Sequence, residues 1–142
     1  MKRLLFILVV FSSASCTSTS SEVENKRELI SSTSWTLAES LAIEDGNLPS
    51  KYTFEDNGSY KLKAGEIEVI GEWKWVSEDE IHLQLNGLSF DGEATEFDQA
   101  KNQYNMRVLE LNENVFKTLE KHIDDDWEST FVKEIIYKPF KQ

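Results

Sequence analysis

From Glu66 to Val76 the chain reads Glu-Ile-Glu-Val-Ile-Gly-Glu-Trp-Lys-Trp-Val, and so strict an alternation leaves few folds open to it. Ile67, Val69, Gly71, Trp73 and Trp75 fall on one side of an extended backbone, and Glu66, Glu68, Glu72 and Lys74 on the other; only Ile70 breaks the rule. A period of two is the mark of a half-buried strand. Gly71 removes a side chain in mid-strand, which predicts a bend or bulge where a sheet curls.

The same pattern recurs on both sides. Lys51–Phe54 and Ser59–Ala64 flank Glu55-Asp56-Asn57-Gly58, and Asn-Gly between alternating segments is a strong hairpin signal. Tyr52, Phe54, Tyr60 and Leu62 then share one face, with Lys51, Thr53, Lys61 and Lys63 on the other. Ser77-Glu78-Asp79 turns the chain into Ile81, Leu83 and Leu85, and Asn86-Gly87 reads as the next turn. Residues 88–102 are weaker and predict a longer loop or an irregular edge strand. Tyr104, Met106 and Val108 alternate again, and Leu109 and Leu111 switch face, as a β-bulge would make them do. Asn112-Glu113-Asn114 is a turn before a strand at Val115–Lys121, and Asp124-Asp125-Asp126 marks a loop. A last strand spans about Ser129–Lys138 and ends at Pro139. With a first strand at Ser34–Glu39 this makes eight or nine short strands and no amphipathic helix. Hairpin-like connections throughout predict an all-β fold, a small antiparallel up-and-down barrel of about eight strands.

The amino terminus is of another kind. Lys2 and Arg3 precede the apolar run Leu4–Phe11, which is followed by Ser12, Ser13, Ala14 and Ser15. That order is the anatomy of a secretory signal, and the run is far short of the roughly 20 apolar residues a spanning helix needs. It ends on Cys16, the one cysteine of the chain. Ser13-Ala14-Ser15-Cys16 resembles the lipobox of bacterial lipoproteins, with serine where leucine is commonest. The resemblance implies cleavage after Ser15 and lipidation of Cys16, which also removes an otherwise exposed thiol. Several acyl chains anchor stably where one does not. Residues 1–15 are thus read as a lipoprotein signal peptide, 16–28 as the lipidated N-terminus and a flexible tether, and 29–142 as the barrel domain.

Loss of residues 1–15 takes away Lys2 and Arg3, so the formal charge deepens from −11 to −13. Such acidity argues against nucleic acid as a partner and against electrostatic docking on anionic lipid. The lipid on Cys16 is then the membrane attachment. Four tryptophans and eight phenylalanines set the chain apart from disordered acidic proteins, which lack aromatics. No internal repeat is present.

The segments Trp35-Thr36-Leu37, Tyr52-Thr53-Phe54-Glu55-Asp56-Asn57-Gly58-Ser59-Tyr60, Gly71-Glu72-Trp73-Lys74-Trp75, Ile81-His82-Leu83-Gln84-Leu85 and Tyr104-Asn105-Met106-Arg107-Val108-Leu109 together resemble the lipocalin-like lipoproteins of the Bacteroidetes. The resemblance covers about residues 33–120. It implies an eight-stranded meander barrel, exported and lipid-anchored. Lipocalins in the strict sense carry Gly-x-Trp on the first strand; here Thr33-Ser34-Trp35 occupies that place.

Little in the chain suggests chemistry. His82 and His122 lie on different elements without metal-ligand spacing. The acidic segments Asp124-Asp125-Asp126 with Glu128, and Glu44-Asp45-Gly46-Asn47, offer oxygen ligands but not the regular spacing of a calcium loop. No Gly-x-Ser-x-Gly elbow occurs and no carboxylate pair stands out. The expectation is a noncatalytic protein with neither cofactor nor metal. The candidate ligand residues are the inward aromatics and their neighbours: Tyr52, Phe54, Tyr60, Trp73, Trp75, Tyr104 and Met106. They would either fill the barrel, the outcome their bulk favours, or line a site for one small hydrophobic ligand. A second reading is an envelope-protein contact through rim segments 86–102 and 122–128. Thr17 and Ser18 after the lipidated cysteine lack the aspartate of inner-membrane retention, so the outer membrane is the expected location.

Overall fold

A computed structural model of the chain describes residues 18–38 and 50–141. Cys16, the signal segment, Pro49 and the acidic turn Glu44–Asn47 lie outside the described residues. One α-helix comes first, α1 (Ser18–Ser32), followed by nine strands: β1 (Ser34–Leu37), β2 (Lys51–Phe54), β3 (Ser59–Ala64), β4 (Ile67–Trp75), β5 (Glu80–Phe90), β6 (Glu93–Glu96), β7 (Gln103–Leu111), β8 (Phe116–His122) and β9 (Lys133–Pro139). A single 3₁₀ turn, Gln99–Lys101, stands before β7.

All strand pairs are antiparallel, and the sheet closes on itself. β4 pairs with both β3 and β5, and β1 joins β9 through Trp35↔Pro139, Thr36↔Lys138 and Leu37↔Tyr137. β6 and β7 lie end to end along the same partner: β5 pairs with β7 over residues 80–84 and with β6 over residues 87–90. The result is a closed eight-stranded meander barrel in which β6 is an appended edge.

Local chemistry explains the turns. After β2, Gly58 has φ +89°, its N–H donates to the Glu55 carbonyl at 2.9 Å, and Asn57 Oδ1 accepts from the Ser59 N–H at 2.8 Å. Gly71 sits where the β4–β5 register shifts; a Cβ there would lie 2.2 Å from the Gln84 carbonyl oxygen. The strands can approach this closely only at a residue without a side chain. The expected turn at Asn86-Gly87 is not formed. β5 continues through both residues, and Asn86 is the extra residue of the bulge opposite Ile70 and Gly71. The chain reverses instead at Asp91 and Gly92, whose φ values of 50° and 81° suit a two-residue hairpin. The second bulge falls at Leu109, between Val108 and Glu110, where the change of face predicts it.

Residues 18–28, read from sequence as a flexible tether, are helical. α1 lies over the barrel end formed by the β2–β3 and β4–β5 turns. Arg27 Nε reaches Asp56 at 3.3 Å, its guanidinium lies 5.4 Å from the centre of the Trp73 ring, and Lys26 Nζ donates to the Glu78 carbonyl at 3.2 Å. Ile30 is fully buried, and its carbonyl accepts the Trp35 indole N–H at 3.1 Å. The helix is recruited by one apolar side chain and by the stem of an arginine rather than by an apolar stripe.

Candidate functional site

The two halves of the barrel interior differ. Beneath α1, Trp35, Phe54, Trp73, Ile81 and Phe116 are buried; Trp35 meets Phe116 at 5.5 Å, and Phe54 lies edge-on to Tyr60, Trp73 and Phe116 at 5.2–5.8 Å between centroids. The Trp73 indole N–H donates to the Glu55 carbonyl at 2.9 Å. These residues form the densest part of the core. Toward the other end, Leu37, Tyr52, Leu62, Leu85, Tyr104 and Ile135 face inward on their strands yet are only half-buried. A side chain that points into a barrel stays partly exposed where the interior is incompletely filled, so the end remote from α1 is the less densely packed of the two.

All seven candidate residues sit on the inward face. Phe54, Tyr60, Trp73 and Met106 belong to the buried core; Tyr52, Trp75 and Tyr104 are half-buried. Trp75 stands apart from the others, in the cleft between α1 and the turn after β4. Its indole Nε1 is the only fully buried side-chain nitrogen or oxygen among the described residues with no hydrogen-bond partner.

The residue that sequence reasoning missed is Glu120. On β8, Phe116, Thr118 and Glu120 alternate inward, which carries a carboxylate into the barrel. Its Oε1 accepts hydrogen bonds from the Tyr137 hydroxyl at 2.6 Å and from Thr118 Oγ1 at 2.8 Å. Tyr137 stacks on Phe116 at 5.2 Å and meets Tyr52 edge-on at 5.1 Å. Burial raises the Glu120 carboxyl above its ordinary range, and the two hydroxyl donors oppose that rise. Burial also pushes the phenols of Tyr137, Tyr60 and Tyr52 up, with the Glu120 charge adding to each, so all three remain neutral. Among the described residues no Lys, Arg or His pairs with Glu120. The signal was present in the sequence as Phe116-x-Thr118-x-Glu120, an apolar, a polar and an acidic residue in one phase.

The remaining polar groups have structural partners. His82 Nδ1 meets Asn105 Oδ1 at 3.0 Å on the polar face of β5 and β7. His122 Nε2 lies 2.8 Å from the Lys101 carbonyl, which can only accept, so the ring donates there and Nδ1 takes the Asp124 N–H at 3.3 Å. In the acidic loop, the carbonyls of His122, Ile123 and Asp125 converge on the ammonium of Lys121. Trp127 packs between that ammonium, at 5.3 Å, and the Arg107 guanidinium, at 4.2 Å. The chain's own lysine therefore holds the position that an ion would take. Of the two rim segments, 86–102 is mostly the end of β5 and the exposed strand β6, and 122–128 is this lysine-bound loop.

A closed antiparallel meander, capped by a helix at one end and half-filled at the other, defines a lipocalin-like all-β barrel. No family model, curated protein or solved structure matches the chain. Among the described residues no helix is long and apolar enough to cross a membrane.

Proposed function

We propose that this protein is a noncatalytic lipoprotein of the cell envelope, anchored at the outer membrane through lipid on Cys16, whose barrel takes one small hydrophobic or amphipathic ligand in its open half. One observation carries the reading: Tyr52, Leu62, Leu85, Tyr104 and Ile135 face the interior and are only partly buried, whereas Trp35, Phe54, Trp73, Ile81 and Phe116 beneath α1 are buried. An eight-stranded barrel has room for one small ligand when its side chains do not fill it. Apolar surface lining a concavity gains about 25 cal/mol per Å² when a ligand covers it. The basic n-region, the short apolar run and the small residues before Cys16 support the anchor.

The test uses the mature chain from residue 16 with Cys16→Ser, which leaves it unacylated, and the neutral apolar fluorophore 1-aminoanthracene. The fluorophore binds with enhanced emission, and Leu62→Trp, which fills the open half, weakens binding at least tenfold while leaving the circular dichroism spectrum unchanged. Phe131→Ala, at a side chain 71% exposed on the surface, leaves binding as it was. Absence of binding by the unsubstituted barrel, or full binding by a folded Leu62→Trp protein, rules the reading out.

A further inference from the structure

We propose that Glu120 and the tyrosines around it form a subsite for a cationic head group, so that the barrel prefers alkylammonium amphiphiles over neutral or anionic ones. The inference rests on the ligand-binding reading above and adds the chemical class of the ligand.

Three observations carry it. First, both hydroxyl donors are spent on one oxygen: Tyr137 and Thr118 both bond to Oε1, and Oε2 takes no hydrogen bond from any described residue. A second oxygen with free lone pairs is thereby left without a donor from the described residues. Second, no cation among the described residues forms an ion pair with it. Lys121, one residue along, points to the other face and is engaged by three loop carbonyls, and Lys117 pairs with Glu134 at 3.0 Å. Lys133, the register partner of Glu120, is exposed. Third, the walls beside the carboxylate are aromatic. Tyr137 contacts it directly, and Tyr52 meets the Tyr137 ring at 5.1 Å. Tyr60, on β3, closes on the same region through Phe54. Faces of tyrosine rings attract ammonium groups, the more so out of water.

A purely structural role does not account for a carboxylate here. Accepting from Tyr137 and Thr118 requires one oxygen and no charge, and glutamine would do it without the cost of burying an ion. A carboxylate costs more in the empty barrel and returns that cost only when a cation arrives. The same charge repels a fatty-acid carboxylate entering the open half.

The experiment titrates the mature Cys16→Ser chain at pH 7.5 by calorimetry with three probes of one chain length: octylammonium, 1-octanol and octanoate. The expected order is octylammonium at least tenfold tighter than 1-octanol, and octanoate weakest. Glu120→Gln, which keeps the shape and an acceptor for Tyr137, brings octylammonium to within about threefold of 1-octanol and leaves 1-octanol unchanged. Equal binding of the three probes, or an ammonium preference that survives in Glu120→Gln, overturns this inference and leaves the barrel as a site for alkyl chains. Failure of all three to bind overturns the ligand-binding reading and this inference with it.

Discussion

At the scale of single residues, Glu120 is the acidic residue that departs from the rule that inward strand residues are apolar. Its carboxyl titrates above the ordinary range because burial disfavours the charged form more than the Tyr137 and Thr118 hydroxyls favour it. The consequence for stability has a definite sign. At pH values below the ordinary carboxyl range the group is protonated in both folded and unfolded chains and costs nothing. As the pH rises through the elevated folded value, the unfolded chain ionises more readily, and stability falls. Glu120→Gln therefore melts higher than the parent at pH 7.5, by roughly 3–5 °C if the relieved cost is near 1 kcal/mol, and the two curves converge toward about pH 4. His122 and Lys133, which share the phase of the inward residues on β8 and β9, are common to both proteins, so the difference isolates Glu120. Thermal melts across this range check the prediction; a variant less stable than the parent at neutral pH contradicts it. Binary patterning hid this residue. A charged side chain in a strand is assigned to the solvent face by default, and only the phase set by Phe116 and Thr118 contradicts that default.

The elements show where alternation suffices and where it does not. Tyr52 with Phe54, Tyr60 with Leu62, and Trp73 with Gly71 were legible as one inward surface, because period two is a property of the extended backbone itself. The bulges at Gly71 and Leu109 were legible too, one from a missing side chain and the other from a change of face. Asn86-Gly87 was misleading: the dipeptide favours a tight turn, but the close approach of β4 at Gly71 holds β5 extended past it. α1 was invisible for a different reason. Among Ser18–Ser32 the only apolar residues are Val23, Leu29 and Ile30, and besides Ile30 the helix is attached through Arg27 on Trp73 and Asp56. The helix therefore depends on few contacts. Ile30, with no exposed surface, is the apolar one, and Ile30→Ala costs about 2–4 kcal/mol. Limited trypsin digestion reads this directly, with cleavage after Lys26 and Arg27 accelerating in the variant while the barrel stays intact. Unchanged cleavage in Ile30→Ala shows that α1 is held by its polar contacts alone.

For the molecule as a whole, closure through β1 and β9 leaves β6 as the one strand with a free edge among the described residues. All four of its residues are exposed, whereas Ile81, Leu83, Phe116 and Thr118 lie under the packed half. Local opening follows burial. Amide hydrogens of residues 81–85 and 116–119 are expected to exchange at least a hundredfold more slowly than those of residues 93–96, as hydrogen-exchange mass spectrometry with peptide resolution measures. Comparable rates in the two sets contradict a barrel with one solid half.

The helix also fixes a direction. α1 begins two residues after Cys16 and lies over the packed end, and its 15 residues span about 22 Å. Under the lipid anchor proposed above, acyl chains on that cysteine would tie the helix-covered end toward the bilayer and turn the other end away from it. On that proposal a guest molecule would arrive from the aqueous compartment rather than by sideways transfer out of the leaflet, and a donor or acceptor for it would approach from the side remote from the anchor.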